Sequence, residues 1–386
     1  MEKMEKMEKR VINLFQPCLG SDELVEVGKV FESNWIGKGP KVAEFEKQFA
    51  EHLNCKPEQV LSTTSCTEAI FLSTKIFDIK HGDEVIIPTN TFPSVASAVM
   101  ESGAKIVFCD INLQTLNVEL KHFQDLINEN TKAIYVTHYG GYPTDMDEIV
   151  DFCRENNIKV IEDTACAVSS RYKGQSCGTL GDMAFWSFDA MKTLTTGDGG
   201  MIYFKREEDR TEGAEWLYLG LPAKEKSGLD KSSNSNEGWW EFNVTKPGRR
   251  AIMNDITAAI GLAQLNKLPM FIEKRAKIDS LYRKELAEVS GLLLPPVPEF
   301  NHESSFYFFW IQTEKRNELA RYLLDNGVYC TFRYWPLHKI ELFNKEGVEL
   351  EFANRASEIT LNLPIHQSMT DDDVKYICEL ISNFMR

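Results

Sequence analysis

Short apolar runs recur from Asp22 to about Leu265, at Gln59–Leu61, Glu84–Ile87, Lys105–Asp110, Ala133–Thr137, Ile158–Glu162, Ala184–Phe188 and Met201–Phe204. Runs of this kind read as strands buried on both faces, and helical spacing between most of them predicts a largely parallel, helix-covered sheet. Ile256 to Leu265 reads as a helix. A second region follows, with strand-like Ser305–Gln312, a helix from Asn317 to Asn326 and strand-like Val328–Phe332. Thr370-Asp-Asp-Asp373 opens a last helix whose acidic first turn complements the helix dipole. Two packed regions with a cleft between them suit a cofactor and a large second substrate.

Two segments break the pattern. Residues 1–9 repeat Met-Glu-Lys, a frayed helix or disordered arm to which no chemistry is assigned. Pro222 to Glu237 is rich in Lys, Ser, Gly and Asn and reads as a surface insertion. The adjoining Trp239 and Trp240 read as core or interface residues.

Composition narrows the class. The chain has 386 residues, enough for more than one domain, and 43% hydrophobic residues argue against general disorder. No apolar stretch approaches the roughly 20 residues that span a bilayer, and the first residues do not form a signal peptide. Nine dispersed cysteines without a Cys-x-x-Cys pair indicate reduced thiols, with neither zinc nor a disulfide framework. These features predict a cytoplasmic enzyme without a membrane partner. The net charge of −15 opposes nonspecific nucleic-acid binding. Lys246, Arg249 and Arg250 stand out on so acidic a chain, either as a site for an anionic substrate or as solvated loop charge.

Three pieces carry candidate chemistry. Lys192 follows the Ala184–Phe188 run and precedes Thr193-Leu-Thr-Thr-Gly-Asp-Gly-Gly200. Enclosure between two strands favours the neutral amine, the form that attacks a carbonyl. Asp163 ends the run Ile158-Lys-Val-Ile-Glu-Asp163, where ligands sit in open α/β sheets. It is placed either to hold a protonated pyridine nitrogen or to cap the next helix. Gln59-Val-Leu-Ser-Thr-Thr-Ser-Cys-Thr-Glu68 reads as a strand, a hydroxyl-rich turn and a helix start, a phosphate cradle or a plain N-cap. Cradle, carboxylate and lysine occur in that chain order, each at an inferred strand end.

With these residues the chain resembles the DegT/DnrJ/EryC1/StrS family, the sugar-aminotransferase branch of the fold-type I pyridoxal phosphate (PLP) enzymes. The matches are Asn34-Trp-Ile-Gly-Lys-Gly-Pro40, Ser65-Cys-Thr67, Pro88-Thr-Asn-Thr-Phe92, Glu162-Asp163, Gly181-Asp182, Ser187-Phe188, Lys192 and Gly197-Asp-Gly-Gly200. The resemblance implies a large domain with a mixed, mostly parallel seven-stranded sheet and a small C-terminal α/β domain. The expected bounds are 1–20 for an arm, 21–265 for the large domain and 266–386 for the small one. It implies that Lys192 forms the covalent link to PLP and that Asp163 pairs with the ring nitrogen. Phe92 would stack on the ring, and Ser65, Cys66, Thr67, the Glu68 amide and Ser187 would surround the phosphate. Asn243 would reach the neighbouring subunit's cofactor phosphate, making the active unit a homodimer with shared sites. The family usually has Gly at Cys66 and Gln at Cys166, so an amide that contacts the cofactor is missing at position 166. Relatives with His at the lysine position are dehydratases, which Lys192 argues against.

Further residues join the candidate set. His138 lies just past a strand, as a substrate contact or a structural group. Arg333, Tyr334 and His338 lie in a stretch whose family counterpart approaches the nucleotide sugar, although Arg333 also fits a surface ion pair. The activity implied is PLP-dependent transfer of an amino group from L-glutamate to C4 of a nucleotide-linked 4-keto-6-deoxy sugar, giving dTDP-4-amino-4,6-dideoxyglucose. Amination at C3 or of another keto sugar, and a silent PLP-binding regulator, are the alternatives. The acidic chain and the lack of a DNA-binding pattern argue against the regulator.

Overall fold

The computed structural model describes residues 10–222, 240–241, 243–344 and 346–386. The repeat over residues 1–9, the insertion beyond Pro222 and Trp239 lie outside the described residues, and Trp240 is exposed.

The strands are β1 (Val60–Thr63), β2 (Glu84–Pro88), β3 (Lys105–Cys109), β4 (Thr131–Thr137), β5 (Lys159–Asp163), β6 (Arg171–Tyr172), β7 (Gln175–Ser176), β8 (Met183–Ser187), β9 (Gly200–Phe204), β10 (His302–Glu303), β11 (Phe309–Gln312) and β12 (Thr360–Leu363). Seven of them form one sheet in the order β1-β9-β8-β5-β4-β2-β3. Neighbours among β3, β2, β4, β5 and β8 pair in parallel, while β9 is antiparallel to both β8 and β1. This is the mixed, mostly parallel sheet that the sequence predicts.

Alternation of side chains explains why the strands read as continuous apolar runs. Val85, Ile87, Ala133, Tyr135 and Ile161 pack into one buried cluster, and the intervening Ile86, Ile134, Val136 and Val160 into another. Both faces are covered, so polar residues appear only where the strands end. Thr137 of β4 and Asp163 of β5 are register partners, and Ser187 of β8 pairs with Gly200 of β9. One edge of the sheet thus collects Thr137, Asp163, Ser187, Gly200 and the end of β1 at Thr63.

The C-terminal region is built on the antiparallel pair β11–β12, with helices Arg316–Asp325 and Asp371–Met385 around it. The strand-like stretch from Ser305 is only half a strand. Its first part is pinned instead by bonds from the Ser305, Tyr307 and Phe308 amides to the Gly141 and Gly140 carbonyls. Val328–Phe332 is likewise no regular strand, being held by isolated bridges from Ile12 to Val328 and from Thr331 to Asn362. The predicted helix ending at Leu265 continues as Asp255–Leu286 through Pro269. Its Ala258 and Leu262 pack under the large sheet, and its Ile278, Tyr282 and Leu286 pack on the C-terminal strands. A continuous helix therefore crosses residue 265. None of the described helices is long and apolar enough to cross a membrane.

Candidate active site

Lys192 sits in the loop that joins β8 to β9. The Phe188 amide donates to Gly199 O, the Thr196 amide to Phe188 O and the Lys192 amide to Asp189 O, which ties the loop to itself. Gly199 has φ +157°, and a Cβ there would lie 2.5 Å from Thr196 Oγ1, so only glycine fits this return. The amine is thereby aimed into a cavity of 330 Å³ at the sheet edge. Its Nζ donates to Cys166 Sγ at 3.5 Å and lies 4.8 Å from the centre of the Tyr307 ring. Burial disfavours the ammonium, but Cys166, Tyr307, Tyr334 and Cys66 outweigh it and hold the Lys192 pKa well above the usual lysine value.

Asp163 is buried at the end of β5. Its Oδ2 accepts from Thr91 Oγ1 at 2.9 Å and its Oδ1 from the Ala165 amide at 3.1 Å. Burial nonetheless raises its pKa, against those two bonds and the pull of Lys192. A carboxylate in that state gains from a cationic partner.

Helix Cys66–Ile76 begins at the same edge. Ser65 is its N-cap, and Ser65 Oγ takes the Glu68 amide at 3.2 Å. The expectation that the Glu68 amide faces a ligand is therefore corrected, and the Glu68 side chain turns to Arg249 at 3.6 Å. The Cys66 and Thr67 amides, which have no carbonyl partner within the helix, point out of its positive end. Gly200 packs so tightly beneath this turn that a Cβ would lie 2.8 Å from the Cys66 amide nitrogen.

The cavity brings together Ser65, Cys66, Thr67, Phe92, Asp163, Cys166, Ser187, Lys192, Arg333 and Tyr334 of the predicted set. Phe92 is 49% exposed and meets Tyr334 edge-on at 5.9 Å, leaving a ring face for a ligand. Arg333 lies 5.2 Å over Phe15 and has no carboxylate partner among the described residues.

Other predicted residues lie elsewhere. His138 is fully buried, its Nδ1 taking the Thr144 amide at 3.0 Å and its Nε2 bonded to Glu162 at 2.9 Å. Glu162 also takes the amides of Gly178, Leu180 and Gly181, so this pair is internal structure and the substrate contact expected of His138 is not formed. His338 is buried too, between Thr89 Oγ1 at 2.7 Å and Asn354 Oδ1 at 3.0 Å, with burial lowering its pKa. Asn243, Arg249 and Arg250 are exposed and outside the cavity. Arg249 pairs with Glu101 at 2.7 Å, and Arg250 lies over Tyr218 at 5.4 Å.

Sequence reasoning missed Ser94, Thr137, Tyr139, Asp198, Tyr307 and Phe308 in the lining. Thr137 carried a usable signal as the last residue of a predicted strand. Tyr307 carried none, because a fold-back of the C-terminal region onto Gly140 brings it in.

The family model for the DegT/DnrJ/EryC1/StrS aminotransferase family matches residues 17–382. The chain belongs to that family. It is 44% identical over 371 residues to a dTDP-4-dehydro-2,3,6-trideoxy-D-glucose 4-aminotransferase of Saccharopolyspora spinosa, covering 96% of this chain and 95% of the relative. Among solved structures, the aminotransferase TlmJ of Streptoalloteichus hindustanus superposes with a TM-score of 0.91 at 43% identity, covering 97% of this chain and 98% of that one. A PLP-form structure described as a sugar aminotransferase, from Streptococcus pneumoniae, gives a TM-score of 0.87 at 26% identity over 98% of this chain and all of that one. This protein is thus a sugar aminotransferase of the family.

The cavity also suits PLP on its own terms. Its volume lies in the range of small-molecule sites. One end offers helix-start amides with the Ser65, Thr67 and Ser187 hydroxyls for a phosphate, the middle offers a buried carboxylate, and the rim offers an amine and an aromatic face. Two buried hydroxyls in its wall, Ser94 Oγ and Thr137 Oγ1, have no partner among the described residues.

Proposed function

We propose that the enzyme uses PLP to transfer the amino group of L-glutamate to C4 of a dTDP-linked 4-keto-6-deoxy sugar, with dTDP-4-keto-6-deoxyglucose as the acceptor. Lys192 and Asp163 meeting in one cavity carries the cofactor reading. The C4 and dTDP assignments draw support from the relative at 44% identity.

When bound, PLP supplies an electron sink for the carbanion formed at the donor's alpha carbon. Asp163 holds the proton on the ring nitrogen, and its raised pKa disfavours a bare carboxylate there. The Cys66 and Thr67 amides with Ser187 anchor the phosphate, and Phe92 covers the ring. Lys192 Nζ would take the proton from the donor's alpha carbon and return it two atoms along, across the linking nitrogen, acting as base and then acid. Cys166 and the Tyr307 ring hold that amine between the two positions. Because the donor's product leaves before the acceptor enters the same site, the kinetics are ping-pong. The exposed Asn243 and Arg250 act across a homodimer interface in this reading, meeting the anionic groups of the partner's ligands, while Arg249 is already paired with Glu101 and Glu68.

The relative named above acts on a 2,3,6-trideoxy sugar, which favours a second acceptor lacking the C2 and C3 hydroxyls. A panel of 3-keto and 4-keto dTDP and GDP sugars, assayed with L-glutamate by product mass and NMR, tests the proposal. Turnover only with a 3-keto sugar, or with none, would overturn it.

A further inference from the structure

Thr137 Oγ1 and Ser94 Oγ are each 8% exposed, line the lysine cavity and have no hydrogen-bond partner among the described residues. A buried hydroxyl without a partner costs about 1–3 kcal/mol, so a site that keeps two is built for a ligand atom. Cys166 stands where the family usually has Gln, so the cofactor's polar edge lacks its usual amide donor. The Cys166 sulfur already takes the Lys192 proton, and burial keeps its thiol pKa high.

Strand order says which ring edge those hydroxyls face. The phosphate candidates follow β1 and end β8, both on one side of β5 in the sheet. Thr137 ends β4 on the other side of β5, paired in register with Asp163, and Ser94 follows β2, one strand farther out. Pyridoxal phosphate carries its phosphate arm on one side of the axis through the ring nitrogen and C4. Its 3-oxygen lies on the opposite side. With the nitrogen at Asp163 and the phosphate towards β8 and β1, the 3-oxygen edge turns to β4.

We infer that Thr137 is a cofactor-binding residue whose hydroxyl donates to the 3-oxygen of PLP, replacing the side-chain amide absent at Cys166. The inference rests on the PLP reading above. A donor on the 3-oxygen disperses its negative charge and weakens its hold on the proton of the nitrogen that links the cofactor to Lys192. Thr137 therefore lowers the pH at which the visible band of the bound cofactor titrates.

The test is an absorbance titration of the full-length PLP-bound protein and its variants, with no substrate present. Thr137→Val removes the donor while keeping the shape, and its apparent pKa is expected to rise by about one unit, the tenfold change that a hydrogen bond to a charged atom supports. Thr137→Ser keeps the donor and is expected to titrate as wild type. Thr137→Ala gives the same test if the valine variant folds poorly. A PLP-bound Thr137→Val or Thr137→Ala that titrates like wild type overturns the assignment, as does a shift seen only in Ser94→Ala. A wild-type protein that shows no visible band with PLP overturns the cofactor reading itself, and this inference with it.

Discussion

Replacing Asp163 by Asn changes one atom at the centre of the site and separates its two consequences. The carboxylate is buried, held by Thr91 and Ala165, and its pKa is raised by burial. Facing a protonated ring nitrogen, it forms a buried charge pair, and removing one partner of such a pair costs about 3–5 kcal/mol. At about 1.4 kcal/mol per decade, that is roughly 10²- to 10⁴-fold in the rate of proton removal from L-glutamate. The assay is a single turnover in stopped flow, following the visible band after mixing with L-glutamate. PLP should stay bound, because the phosphate donors and Lys192 are untouched. In the cofactor-free protein the effect runs the other way. A folded-state pKa above the unfolded value means that the native state binds the extra proton, so stability falls as pH rises through the folded pKa. Above that pH the carboxylate is a burden, and cofactor-free Asp163→Asn should melt no lower than wild type at neutral pH. The difference should shrink in acid. Near wild-type turnover would deny Asp163 its role at the ring nitrogen, and a cofactor-free variant clearly less stable at neutral pH would show that the buried carboxylate is not a burden.

Three further predictions follow from particular contacts. Gly200→Ala pushes a methyl against the Cys66 amide and should weaken PLP binding about tenfold, the scale of one charge-assisted hydrogen bond, as read by absorbance titration of the cofactor-free protein. An unchanged affinity would remove that helix start from the phosphate site. His138→Ala should cost about 2–4 kcal/mol of stability in denaturant unfolding, from a cavity and unpaired groups at Glu162 and Thr144; unaltered stability would return His138 to the list of surface or substrate contacts. If the proposed homodimer shares its sites, mixing inactive Lys192→Ala with inactive Arg250→Ala chains should restore some activity, since one site of the mixed dimer would have both native residues. No recovery despite proven subunit exchange would deny Arg250 a role across the interface.

The sheet and the centre of the site were legible because β2, β4, β5 and β8 are buried on both faces, so their first polar residues announce the edge. Lys192, Asp163 and the Ser65–Thr67 turn all sit at such ends. The same cue misleads at His138, since a histidine after a strand reads alike whether it faces a cleft or Glu162. Arg249 looked available for an anion, but Glu101 and Glu68 come from elements distant in sequence. Pro269 argues locally for a helix end, and packing of Asp255–Leu286 on two cores overrides it. β12 is too short to announce itself, and Tyr307 reaches Lys192 only through a fold-back that no local pattern encodes.

We propose above all that Lys192 is the amine that carries the cofactor. Reducing the PLP-loaded protein with borohydride fixes that linkage, and peptide mass mapping then locates it. A single pyridoxyl adduct on Lys192 is expected, with no visible band and no turnover in Lys192→Ala. An adduct on another lysine, or a Lys192→Ala protein that keeps the band and transaminates, would contradict it.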